Sequence, residues 1–112
     1  MTLRVGTDCS GIDAPIQAMK NLQVPFDHVF SNDTDVLCGE TIMANFNPKS
    51  VVVGPCADIT TRDVSSMEPV DLYVCGFPCQ PFSKLGARMG FEDPRGIVFF
   101  GCLAYILDYF GN

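Results

Sequence analysis

Leu3-Arg4-Val5-Gly6-Thr7-Asp8-Cys9-Ser10-Gly11-Ile12-Asp13-Ala14-Pro15 is the stretch on which the fold turns. Leu3 to Gly6 predicts a short strand, and a helix is expected from about Pro15 to Leu22. Pro15 suits a first helical position, where its missing N–H costs nothing, and Asp13 or Ala14 precedes it as cap. Strand, glycine turn and helix open a mononucleotide-binding α/β unit. Only Gly6 and Gly11 of the dinucleotide glycine pattern are present, and Asp8 and Asp13 bring two carboxylates near the helix start. A pyrophosphate seated there would meet like charge, whereas a phosphate-free cationic ligand would not.

A second strand and helix follow along the chain. Phe26-Asp27-His28-Val29-Phe30-Ser31 predicts a second strand, followed by Asn32-Asp33-Thr34-Asp35 and a helix through about Asn45. Asp33 lies 22 residues beyond Gly11, near the spacing at which an acid at the end of the second strand reaches ribose hydroxyls. Asp35 is the expected helix cap. His28 alternates with apolar neighbours and is assigned no role. Ser50-Val51-Val52-Val53 predicts a third strand, rich in β-branched residues, with Gly54 to Thr60 as a turn. Asp71-Leu72-Tyr73-Val74-Cys75 is a continuous run suited to a strand buried on both faces. Strands at Leu3, Phe26, Val51 and Leu72 with helical material between them predict an α/β class, Rossmann-like and doubly wound, with a parallel sheet and right-handed crossovers. Ligands of such sheets sit beyond the carboxyl ends of the strands. Gly11, Asp33, Asp58 and Pro78-Cys79 all fall there.

Bulk properties narrow the function. The 112 residues, 47% hydrophobic, predict one small domain spanning 1–112. The formal charge of −6 has the wrong sign for an autonomous nucleic-acid binder. Residues 1–80 hold ten Asp and Glu against Arg4, Lys20, Lys49 and Arg62, while beyond them Lys84, Arg88 and Arg95 balance Glu92, Asp93 and Asp108. Any DNA contact is therefore expected from the later part. Cys9, Cys38, Cys56, Cys75, Cys79 and Cys102 come without a signal peptide, which predicts free thiols in an intracellular, reducing compartment. That is the nucleus in a eukaryote, or the cytoplasm and nucleoid in a bacterium. With no Cys-x-x-Cys pair and His28 the only histidine, no metal site is expected. Gly96 to Phe110 is too short for a membrane span and reads as a core helix.

Gly76-Phe77-Pro78-Cys79-Gln80-Pro81-Phe82-Ser83 closes the last strand. Pro78 and Pro81 fix their own φ and bias the residues before them toward extended backbone, so Cys79 is expected on a stiff turn. Such stiffness suits a nucleophile. A buried, space-filling cysteine is the competing reading. This stretch resembles the catalytic motif of the DNA (cytosine-5) methyltransferases, and Gly90-Phe91-Glu92-Asp93-Pro94-Arg95-Gly96 with Phe99-Phe100 is similar to the segment that follows it in that family.

The resemblance implies S-adenosylmethionine as cofactor, whose sulfonium suits an acidic loop. It implies Cys9, Ser10, Gly11 and Ile12 in the first cofactor motif, although Thr7 stands where the family usually has Asp, Cys9 where it has Phe, and Asp13-Ala14 where it has paired glycines. Asp33 would hold the ribose, followed by Thr34 where the family often has an aromatic. Asp58-Ile59 resembles the third motif, whose Asp accepts from the adenine amino group, with a turn aspartate as the alternative. Adenine packing is then expected from Ile12 or Ile59. Pro78 joins the cofactor pocket, Cys79 is the nucleophile that adds to carbon 6 of a flipped cytosine, and Gln80 and Ser83 face the substrate. Lys84 and Arg88 are candidates to meet the phosphates of double-stranded DNA on a glycine-bearing lid, or else solvated cations.

Family members continue with a Glu-Asn-Val segment, an arginine-bearing motif and a target-recognition region. None is visible after Gly96. The chain thus reads as a truncated, amino-terminal part of a catalytic domain, expected to be inactive alone, with a complementary carboxy-terminal chain as a conceivable partner. Two alternatives are a non-catalytic remnant serving as an interaction or regulatory module and an unrelated nucleotide-binding α/β protein.

Overall fold

The computed structural model describes residues 2–77 and 97–111. Four strands, β1 (Leu3–Asp8), β2 (Phe26–Asp33), β3 (Ser50–Val53) and β4 (Leu72–Cys75), form a parallel sheet in the order β3-β2-β1-β4. Helices α1 (Ala14–Asn21) and α2 (Val36–Asn45) make the first two crossovers, and α3 (Val98–Phe110) follows β4. The expected α/β class and parallel sheet are those observed. Between β3 and β4, however, the chain makes two 3₁₀ turns, Gly54–Ala57 and Val64–Ser66, where helical material was expected. The segment is held instead by local caps such as Asp63, whose carboxylate accepts from Ser65 N.

β1 is central, paired on both edges, and its last four residues are buried without alternation. That is how a parallel strand covered on both faces must read. On one face Val5 packs with Ile16 and Met19 of α1, flanked by Phe26 and Phe46. On the other, Val29, Phe30 and Val70 surround Tyr105 of α3. A Cβ at position 6 would overlap the Phe30 ring, so Gly6 lets that ring lie across the strand. Tyr105 is fully buried, 4.5 Å from the Tyr73 ring centroid and 4.6 Å from that of Tyr109, and its hydroxyl donates to Glu68 O at 2.7 Å.

α3 is apolar nearly all round, yet only its Gly101, Cys102 and Tyr105 face is buried. Phe100, Ile106, Leu107 and Phe110 are exposed. The expected core helix is therefore a half-covered one among the described residues. No helix of the described residues is long and apolar enough to cross a membrane.

The free-thiol expectation needs correcting. Cys75 at the end of β4 is joined by a disulfide to Cys102 of α3, with Cα atoms 6.5 Å apart. α3 lies against the sheet there, and a helix residue 27 positions away in sequence is brought to the strand terminus. Cys9 and Cys38 are free.

Candidate functional site

The carboxyl ends of β1 and β2 are zipped together. Ser10 N donates to Asn32 O at 3.0 Å, and Ser10 Oγ bridges the two segments by accepting from Asn32 N at 3.0 Å. The next residue completes the clasp, since Gly11 N donates to Asp33 Oδ2 at 2.8 Å. Gly11 has φ +57, and a Cβ there would meet nothing within 4 Å. The turn therefore takes a left-handed backbone that glycine adopts without penalty and leaves open space above itself. Asp33 is half-buried, and its Oδ1 accepts from Asp35 N at 2.9 Å. One bond on each oxygen leaves about half of a carboxylate's acceptor capacity. Asp35, as expected, caps α2 by accepting from Leu37 N at 2.9 Å.

Beyond β3, Asp58 is exposed and its Oδ1 accepts from Thr60 N at 2.9 Å and from Thr60 Oγ1 at 2.6 Å. These bonds hold its carboxyl below the usual range. Ile59 beside it is buried, close under Gly101 of α3. Ile12 is 64% exposed on the loop after β1, and Thr34 is exposed. The rim thus gathers Ser10, Gly11 and Asp33 into one bonded cluster, with Asp58 on a separate turn. Pro78, Cys79, Gln80, Ser83, Lys84 and Arg88 lie outside the described residues.

Asp8 and Asp13 do not form the outward-facing acidic loop expected. Asp8 is 1% exposed and accepts from Arg62 Nη1 at 2.7 Å, Arg62 Nη2 at 2.6 Å, Asn32 Nδ2 at 2.9 Å and the Tyr73 hydroxyl. Burial opposes the Arg62 charge, but the Asp8 bonds outweigh it and raise its pKa. Burial, followed by the Asp8 charge, pushes the Tyr73 phenol well above its usual range.

Asp13 is fully buried. It caps α1 by position, at φ 62, but its side chain makes no cap bond. It turns inward, accepting from Thr7 Oγ1 at 2.7 Å and from the Ser31 hydroxyl. His28 Nε2 lies 2.6 Å from Ser31 Oγ. Because Ser31 gives its proton to Asp13, Nε2 must supply the one in this bond. A core histidine assigned no role thus anchors the turn, with its Nδ1 buried and without a partner among the described residues. Arg62 was likewise missed. The available signal was that a buried acid at the end of β1 needs a cation, and residues 1–80 contain only four.

Cys9 follows Asp8 at φ 50 and is half-buried. Desolvation first, then the Asp8 and Asp33 charges, push its thiol up to about 11. Two clefts lie off the rim, one of about 330 Å³ bordered by Phe30, Ile59 and Arg62, the other of about 400 Å³ between α1 and α2 beside Ile12 and Phe46. Neither includes the Gly11–Asp33 clasp, and the strand-end geometry is the stronger guide to ligand binding.

Comparison with known proteins gives three findings. Residues 7–110 match the family model for C-5 cytosine-specific DNA methylase. The chain is similar to the type II methyltransferase M.NlaX of Neisseria lactamica, 43% identical over 72 residues that make up 64% of this chain and 22% of that protein. It is also similar to M.DsaV of Dactylococcopsis salina, 37% identical over 93 residues, 79% of this chain and 25% of that protein. It thus spans about a quarter of the length of these relatives. Among solved structures, the S. pombe Dnmt2 methyltransferase superposes with a TM-score of 0.72 at 26% identity, covering 95% of this chain and 32% of that one.

Proposed function

The chain belongs to the C-5 cytosine-specific DNA methylase family, and from that premise we propose that it supplies the cofactor rim and nucleophile loop of an enzyme methylating carbon 5 of cytosine in DNA. The observation that carries this reading is the clasp in which Gly11 N holds Asp33 at 2.8 Å. It fixes a carboxylate with spare acceptor sites beside an open glycine turn, which suits a ribose diol seated over the loop. Asp8 and Asp13, consumed inside, offer no charge to the sulfonium, so recognition of an adenosyl ligand falls to Asp33 and neighbouring apolar surface.

In this reading Asp33 accepts from the ribose hydroxyls, Asp58 accepts from the adenine amino group, and Ser10, Gly11, Ile12, Thr34 and Pro78 border the ligand. Cys9 and Ile59 act from below as packing. S-adenosylmethionine supplies an electrophilic methyl group on its sulfonium. Cys79 adds as thiolate to carbon 6 of a cytosine extruded from double-stranded DNA, which makes carbon 5 nucleophilic; once carbon 5 carries the methyl group, loss of its proton and expulsion of Cys79 restore the aromatic ring. Gln80, Ser83, Lys84 and Arg88 meet the substrate strand, the two cations at phosphates. One domain spans 1–112 in this assignment.

The test is covalent trapping. The chain, extended with the carboxy-terminal part of a family member, is incubated with cofactor and duplex DNA containing 5-fluorocytosine. A denaturation-stable complex that disappears in Cys79→Ser is the expected result. A complex that persists in Cys79→Ser contradicts the assignment of the nucleophile, and none with either protein favours a non-catalytic module.

A further inference from the structure

Cys9, Cys75 and Cys102 come from three segments, the loop after β1, the end of β4 and the first half of α3. Their Sγ atoms all lie within 4.8 Å of one another. No pair among them has the short sequence spacing of a metal motif, so only the fold reveals the cluster. Two of the sulfurs form the Cys75–Cys102 disulfide, and Cys9 is a third, half-buried thiol beside it. A disulfide explains two of these cysteines. It leaves the third sulfur, within 4.8 Å of both, without a role.

We propose that, when the disulfide is reduced, Cys9, Cys75 and Cys102 form a three-thiolate site for one thiophilic cation. Thiolates select soft ions such as Cu(I) and also take Zn(II). Metal–sulfur bonds of about 2.3 Å place neighbouring thiolates about 3.8 Å apart. Cys9 Sγ, within 4.8 Å of the other two, closes by about an ångström, while the Cys75 and Cys102 sulfurs part by about two from their bonded separation. The Cys75 and Cys102 Cα atoms, 6.5 Å apart, allow either a direct bond or a bridging metal.

On binding, each thiol releases its proton to solvent as its sulfur bonds the metal. Reduction consumes a named reagent, a phosphine, which takes up oxygen from water as the S–S bond becomes two thiols. Burial helps, because the half-buried setting that disfavours a bare thiolate is relieved by a cation. Asp8 does not compete as ligand, since its carboxylate is fully engaged with Arg62, Asn32 and Tyr73. The ion would tie the cofactor loop to the strand that leads, four residues on, to Cys79. It would also hold α3 in the place the disulfide holds it.

The probe is Cd(II), whose sulfur-to-metal absorption scales with the number of bound thiolates. The chain is titrated after phosphine reduction, after oxidation, and as Cys9→Ser and Cys38→Ser, with circular dichroism to confirm that each variant folds. The reduced chain is expected to take up one ion with a three-thiolate band. That band falls by about a third and Cd(II) binding weakens by about 100-fold or more in Cys9→Ser, while Cys38→Ser matches the parent and the oxidised chain shows none. Displacement by Cu(I) or by Zn(II) then identifies the ion that fits. Identical titrations of the reduced parent and a folded Cys9→Ser would overturn the proposal. So would an undiminished band in the oxidised chain, a comparison that needs no variant at all.

Discussion

Among the aspartates at the strand ends and in the turns that follow, four divide into two pairs. Asp8 and Asp13 face inward, almost wholly buried, and accept from Arg62, Asn32 and Tyr73 or from Thr7 and Ser31. Asp33 and Asp58 face the rim, each satisfied in part by nearby backbone N–H groups, with acceptor capacity left over. The residue type and the position along the strand are nearly the same in both pairs. Burial and saturation separate an acid that builds the turn from one that can hold a ligand. A buried carboxylate with four donors has nothing left to offer, and removing it strands its partners.

The sharpest way to break this division is at Arg62. Asp8→Ala or Arg62→Ala leaves the other charge buried, and each is expected to lower stability by about 3–5 kcal/mol in urea unfolding. The double variant should cost less than the sum, because the two share one interaction. Single losses below about 1 kcal/mol would put Asp8 with the rim pair after all. Next comes Asp13→Asn, which keeps a residue tolerant of left-handed backbone but disturbs the bonds to Thr7 and Ser31. It should cost about 1–3 kcal/mol, and Asp13→Ala more, since alanine resists φ 62.

At the rim the effect moves from stability to ligand. Asp33→Ala should unfold with a loss of about 1 kcal/mol yet weaken S-adenosylhomocysteine binding by about tenfold, a difference of about 1.4 kcal/mol. Asp58→Ala should change stability by less than about 0.5 kcal/mol and affinity by a few-fold, read in the same titration.

At neutral pH the smallest effect concerns Cys9. Its folded thiol sits at about 11 against an ordinary 9.0. Between those values the unfolded chain has lost the Cys9 proton and the folded chain retains it, so the protein with its disulfide intact should lose stability as pH rises through that window. Alkylation of Cys9 should climb about tenfold per pH unit up to about pH 11, because only the thiolate reacts. A plateau near pH 9 would show an unperturbed thiol.

The strands, α1, α2 and the Asp35 cap were legible because each rests on local chemistry: apolar runs of strand length, a proline at a helix start, an aspartate before a helix. The Gly11–Asp33 relation was legible too, since the βαβ unit fixes that spacing. What stayed hidden depends on contacts far apart in sequence. Arg62 reaches Asp8 across 54 residues, and Cys102 meets Cys75 across 27. Spacing also cannot tell which way a side chain turns, and so Asp8 and Asp13 read as an acidic rim. His28 illustrates the same limit, because its alternation with apolar neighbours correctly implied burial but not the Ser31 hydroxyl it binds. The run from Gly54 to Val70 contains no periodicity strong enough to reveal that Val64 and Met67 pack under Tyr109 and Tyr105.

Calorimetric titration with S-adenosylhomocysteine, using NADH as control, tests the division most directly when run on the parent, Asp33→Ala and Asp8→Asn at a temperature where all three remain folded. The account predicts binding of the adenosyl ligand only, weakened about tenfold by Asp33→Ala and little changed in folded Asp8→Asn. Affinity lost in Asp8→Asn but kept in Asp33→Ala would contradict it, because the inward acid would then be the one that meets the ligand.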